Sequence, residues 1–166
     1  MPYAAHFTAS DLSKVSRGDL FTITVDKQKC LAIMLDKHQR QQVFGLLDHP
    51  TAPFTFFGVQ GWTTPCLSFG SSWRLTPGEP LEDGSKVIGN KGYVTLENAT
   101  CLLNFDRHPS DKGEGIDSRH FDIDTLGLAA GASLDAFVFG QWEIWLPEDK
   151  TKGLERQSLL TYPLQK

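Results

Sequence analysis

The sequence predicts an all-β protein: an antiparallel sandwich of two sheets with one short N-terminal helix, in a single domain over residues 1–166. Three observations lead there. Short segments alternate apolar and polar residues with period two, and β-branched or aromatic residues dominate them. Turns rich in Gly, Pro, Asp and Asn separate these segments at close spacing. No helical pattern of roughly ten residues or more lies between them, as a parallel α/β fold requires. A small SH3-like barrel followed by a second sheet is the alternative, because the first three strands could close on themselves.

"ASDLSKVSRGD" reads as the short helix, with Ser10 as its cap and Gly18 at its end. "LFTITV" sets Phe21, Ile23 and Val25 on one face and Thr22 and Thr24 on the other, as a half-buried strand does. "DKQK" turns the chain into "CLAIML", which is apolar on both faces and therefore central. "DKHQRQ" turns it again into "VFGLLD", completing an antiparallel meander. Beyond "HPTAP", the segments "FTFFGVQGW" and "LSFGSSWRL" are two more strands. "YVTLE" and "TCLLNF" flank Asn98 and Ala99 as a tight hairpin, and "AFVFGQWEIWL" is the longest strand. "QSLLTYPL" fits an edge, since Pro163 cannot donate to a ladder. The expected total is nine or ten strands. An eight-residue echo relates Leu75–Glu82 to Leu128–Asp135; each copy is expected to turn the chain with a leucine anchored on either side.

Composition narrows the function classes. With 40% apolar and 22% charged residues, the chain is globular rather than disordered. A net charge of −4 and the lack of any Lys/Arg run argue against nucleic acid, whose affinity rests on neutralising phosphates. No apolar run is long enough to span a membrane, and no secretory signal pattern opens the chain. Cys30, Cys66 and Cys101 form no CxxC pair and sit among apolar neighbours. They read as free, buried thiols in a reducing, cytoplasmic setting.

Two constellations carry possible chemistry. The first, "DRHPSDKGEGIDSRHFDID" from Asp106 to Asp124, offers metal ligands in His108, Asp117, His120 and Asp122. Its spacing matches no EF-hand, and neither HxH nor HExxH occurs. Arg107 and Arg119 stand directly beside the two histidines and would repel a cation. The stretch is therefore expected to be a surface connection between two strands, with no metal and no other cofactor. No GxSxG elbow or phosphate loop occurs either.

The second constellation is aromatic. Phe54, Phe56, Phe57, Trp62, Phe69 and Trp73 crowd into 21 residues, more rings than one strand face buries. Either both faces are covered within the protein, or one meets a partner. Trp62, between Gly61 and two threonines, is the ring expected in an exposed loop. On the long strand, Phe139, Gln141, Glu143 and Trp145 share a mixed face, opposite a wholly apolar one. Trp62, Phe57, Phe69, Trp73, Phe139, Gln141, Glu143 and Trp145 are thus the expected contact residues. The expected function is non-enzymatic binding or assembly, with a protein partner or a second copy. The alternatives are a metal-dependent enzyme built on residues 106–124 and a carbohydrate-binding module built on Trp62.

Overall fold

The computed structural model describes residues 4–111 and 117–164. Among these it holds fourteen strands. They are β1 (Thr8–Asp11), β2 (Leu20–Val25), β3 (Gln28–His38), β4 (Gln41–Leu46), β5 (Thr55–Gln60), β6 (Pro65–Gly70), β7 (Arg74–Pro77), β8 (Val94–Glu97), β9 (Thr100–Arg107), β10 (Ser118–Asp122), β11 (Gly127–Ala129), β12 (Phe137–Phe139), β13 (Trp142–Leu146) and β14 (Gln157–Tyr162). A large sheet runs in the order β1-β6-β2-β3-β4-β5-β9-β10-β11, with β8 on β9 and β12 on β8. A small sheet runs β14-β13-β7. The fold is all-β, a large and a small sheet as in a sandwich, and the sheets do not close into a barrel.

The meander forms where the turn chemistry places it. Val25 pairs with Gln28, and Asp26 and Lys27 both take positive φ, as a two-residue type I′ hairpin requires. Gln39 and Asn98 supply positive φ in the β3–β4 and β8–β9 turns. Every strand pair is antiparallel except β5–β9, where Thr55 and Phe56 lie parallel to Asp106 and Arg107. The large sheet is therefore mixed.

The central strands are buried on both faces. On β3, Leu31, Ile33 and Leu35 enter one apolar cluster while Cys30, Ala32 and Met34 enter another. On β5, Phe56 joins the first cluster and Phe57 the second. The small sheet covers the first cluster with Trp142, Ile144, Leu146 and Leu160. Two buried tryptophans pin it there: the Trp73 indole donates to the Gly18 carbonyl and the Trp142 indole to the Gly92 carbonyl, both at 2.8 Å. The second cluster is covered by Leu12 and Val15 from the N-terminal segment.

Several expectations change. The N-terminal helix shrinks to one 3-10 turn, Leu12–Lys14, because Thr8–Asp11 pairs with β6 instead. Its cap is Asp11, which accepts from the Ser13 N–H, and not Ser10. The segment from Phe137 to Leu146 is not one long strand. It breaks at Gly140 and Gln141, where the chain leaves the large sheet for the small one, so β3 is the longest. The stretch from Asp106 to Asp124 is not mainly a connection. Asp106 and Arg107 end β9, and Ser118–Asp122 forms β10 because the Phe121 ring belongs to the core. In the eight-residue echo, the second leucines, Leu81 and Leu134, are exposed rather than core anchors. The C-terminal strand β14 is an edge, as the proline implied.

The cysteines are free; Cys30 and Cys66 are buried and Cys101 is half-buried. Burial pushes the Cys30 thiol up to about 12 and Cys101 to about 11, and raises Cys66. A neutral thiol reagent at pH 8 should therefore label about one group or none in the folded chain and all three after unfolding. Rapid labelling of Cys30 before unfolding would contradict this burial. Gly45 is the second test. A Cβ there would lie 2.5 Å from Cε1 of Phe105. Gly45→Ala should cost about 1–3 kcal/mol in urea unfolding, the usual penalty of overpacking a core. An unchanged midpoint would show that the Phe105 ring yields freely.

Candidate contact face and polar clusters

The expected contact residues divide into interior and surface groups. Trp73 and Phe139 are buried between the sheets, and Phe57 is buried in the second cluster. Burial removes these three from any contact surface. Phe69 is half-buried, edge-on to Phe7. Trp62 is 39% exposed, yet its ring packs against Phe44 and Phe57 at centroid distances of 6.2 and 6.1 Å. The buried Gln42 amide clamps its backbone: Oε1 accepts from the Trp62 N–H at 3.0 Å, and Nε2 donates to the Trp62 carbonyl at 3.1 Å and to Leu12 at 3.2 Å. Trp62 is a fixed lid on the second cluster rather than a free ring.

Gln141, Glu143 and Trp145 come together on the outward face of the small sheet. Glu143 pairs with Thr76 of β7 and Thr161 of β14, which places all three side by side. The Trp145 indole donates to Thr76 Oγ1 at 2.9 Å. Arg156 lies over the Trp145 ring, 4.3 Å from its centroid, and bonds Glu143 through Nη2. A cleft of about 580 Å³ opens beside this network, lined by Thr76, Gln141, Trp142, Glu143, Thr161 and Tyr162 among others. Its floor is rigid, because the Trp142 and Tyr162 rings stack at 5.2 Å and Phe54 meets Tyr162 edge-on. A second cleft of about 830 Å³ lies along the other flank of β14, between Asp48–Pro53 and Leu159–Leu164; the two share Thr161 and Leu164. Among the described residues, β14 and β7 have no partner strand on their outer sides.

The metal-ligand candidates stay apart. His108 follows the end of β9 and is buried. Its Nδ1 accepts from the Ser110 N–H at 3.1 Å, and its Nε2 has no hydrogen-bond partner among the described residues. His49, three residues beyond β4, repeats the Nδ1 contact with Thr51 in place of Ser110, but its Nε2 meets the Val25 carbonyl at 3.1 Å; the two rings meet edge-on at 6.4 Å. His120 lies on β10 opposite Asn104 and bonds its Oδ1 at 2.7 Å. Asp117 pairs with Arg107 at 3.6 Å, and Asp122 caps the turn that follows by accepting from the Asp124 N–H. Among the described residues, no three His, Cys, Asp or Glu side chains converge. Glu114, also in that charged stretch, lies outside the described residues.

Sequence reasoning missed Arg156, which arrives from a polar connection 13 residues beyond Glu143. It also missed the exposed Phe137 (62%) and Leu134 (73%). Period two puts Phe137 on the face of Phe139, which is buried, so alternation alone does not separate the two rings. No protein-family model, curated protein or solved structure matches the chain. Among the described residues, no helix is long and apolar enough to cross a membrane.

Burial holds both His108 and His120 below the ordinary imidazole range; Asp26 and Asp111 oppose this at His108, and Asp106 at His120. A histidine lowered in the folded state binds its proton more readily when unfolded. The folded form therefore keeps its full advantage above the unfolded value near 6.5 and loses it as pH falls below that value. Stability measured in urea should drop as pH falls from about 7 to 5, and His108→Gln should flatten part of the drop. A profile flat across that window would contradict the burial of these rings as neutral species.

Proposed function

We propose that the protein works by association, binding a protein partner or a second copy through the outward face and open β14 edge of the small sheet. One observation carries this reading. Two clefts flank an unpaired edge strand, and Trp145, Arg156 and Tyr162 stand beside it on a rigid aromatic floor. Tryptophan, tyrosine and arginine dominate the energetics of protein contacts: the rings bury large area at small entropic cost, and the guanidinium adds a planar fork of donors. An edge strand adds main-chain donors and acceptors that a partner strand can satisfy. Pro163 blunts only one end of that edge.

The carbohydrate-module reading draws less support. Trp62 packs edge-on against Phe57 and tilted against Phe44, and Arg156 already lies over the Trp145 ring. The metal-enzyme reading lacks convergence of its ligands among the described residues.

Thr161 lines both clefts and is exposed, so Thr161→Arg fills the contact without touching the core. Sedimentation velocity across a concentration series should show association of the native chain, with the variant weakened at least roughly tenfold. Trp62→Ala should behave in the opposite way: association stays, while stability falls by about 1–2 kcal/mol because a half-buried ring is lost from the second cluster. A Thr161→Arg chain that associates as the native one does would remove the small sheet from the contact.

A further inference from the structure

A third cleft lies elsewhere, on the large sheet. On β4 and β5, Gln41 pairs with Gln60 and Val43 with Gly58, so all four side-chain positions share one face. Phe56, two residues before Gly58, continues that face and pairs with Arg107 across the parallel ladder. On β10, Arg119 stands opposite Phe105, whose face Arg107 shares by period two. Sheet register alone therefore brings two guanidinium groups onto one phenylalanine. Arg107 lies 5.8 Å and Arg119 5.4 Å from the Phe56 centroid. Around them opens a cleft of about 340 Å³, and no small-sheet residue lines it. Gly58 leaves its floor clear: a Cβ there would meet no atom closer than 3.8 Å.

The ion pairs beside this cleft are unevenly shared: both nearby aspartates go to one arginine. Arg107 faces Asp111 at 3.5 Å and Asp117 at 3.6 Å. Arg119 takes part in no ion pair among the described residues, and its Nε is covered without an acceptor. A guanidinium held against an aromatic ring keeps its face desolvated and its nitrogen fork fixed, and a fixed fork matches the two oxygens of a carboxylate. Asp111 on the cleft wall would repel a dianion.

We propose that this cleft binds a carboxylate monoanion at Arg119, with Phe56 beneath the guanidinium and Gly58 giving the ligand its room. The carboxylate belongs to a small free acid or to a glutamate side chain of a partner; the chemistry at Arg119 is the same. The site is separate from the small-sheet contact and stands whether or not that contact exists.

The experiment follows the Arg119 Nε–H and the Gly58 and Gly45 amides by heteronuclear NMR. Sodium acetate or N-acetylglutamate α-amide replaces sodium chloride at constant ionic strength. Saturable shifts at these three positions are expected. Arg119→Gln should weaken them at the glycine amides by at least roughly tenfold. Gly58→Val, which fills the cleft and leaves both arginines in place, should do the same. Tighter binding of the glutamate derivative assigns the carboxylate to a partner side chain, and equal or tighter binding of acetate assigns it to a free acid. Shifts that never saturate, shifts that persist in Gly58→Val, or stronger binding of inorganic phosphate than of acetate would overturn the proposal. If Arg119→Gln does not fold, Gly58→Val alone decides.

Discussion

The structure depends on one constraint: β3 and its neighbours are buried on both faces. A strand in that position must be apolar at every residue, and Cys30–Leu35 is. Both faces then need covers. The small sheet supplies one, held by the Trp73 and Trp142 indoles on main-chain carbonyls. The N-terminal segment and the Trp62 loop supply the other, held together by the Gln42 amide. A buried amide of this kind is costly unless satisfied, and Gln42 is satisfied by three main-chain groups from two segments. The same residue therefore closes the second cluster and fixes how the loop and the N-terminal turn sit together.

Covering both faces also decides where function can lie. The large sheet spends its central rings on packing, so the aromatic segment from Pro53 to Trp73 is mostly interior. Among the described residues, the surfaces left open include the outward face of the small sheet, the edge at β14, and the cleft where Arg107 and Arg119 stand. In the first of these, Arg156 and Glu143 carry charges that cancel. Exposed pairs of this sort contribute about 0–1 kcal/mol to stability, so their value lies more in orienting the Trp145 ring than in holding the fold.

Much of the architecture was legible in the sequence, and the failures have physical causes. Period-two patterning located the meander, because β2 alternates cleanly and the Asp26–Lys27 turn has polar residues that tolerate positive φ. The proline after Tyr162 marked the edge. Phe137–Leu146 misled because apolar alternation persists across the break; only Gly140 hinted at a change of sheet. The charged stretch hid β10, although Phe121 and Ile123 alternate there, since the surrounding acids dominated the pattern. The parallel β5–β9 pairing joins residues some 50 positions apart, which no local signal encodes. The outward set Gln141, Glu143 and Trp145 was legible from alternation. Arg156, and the meeting of Arg107 with Arg119 on Phe56, required the register.

Hydrogen exchange resolved by residue tests the central constraint most directly. If β3 is enclosed on both faces, the amides of Leu31–Leu35 exchange only through global unfolding, with protection equal to the stability measured by denaturant. The outer strands β1, β11 and β14 should exchange through cheaper local openings. If Leu31–Leu35 exchange as readily as β1, one face of the central sheet is open, and the account of two covered cores fails.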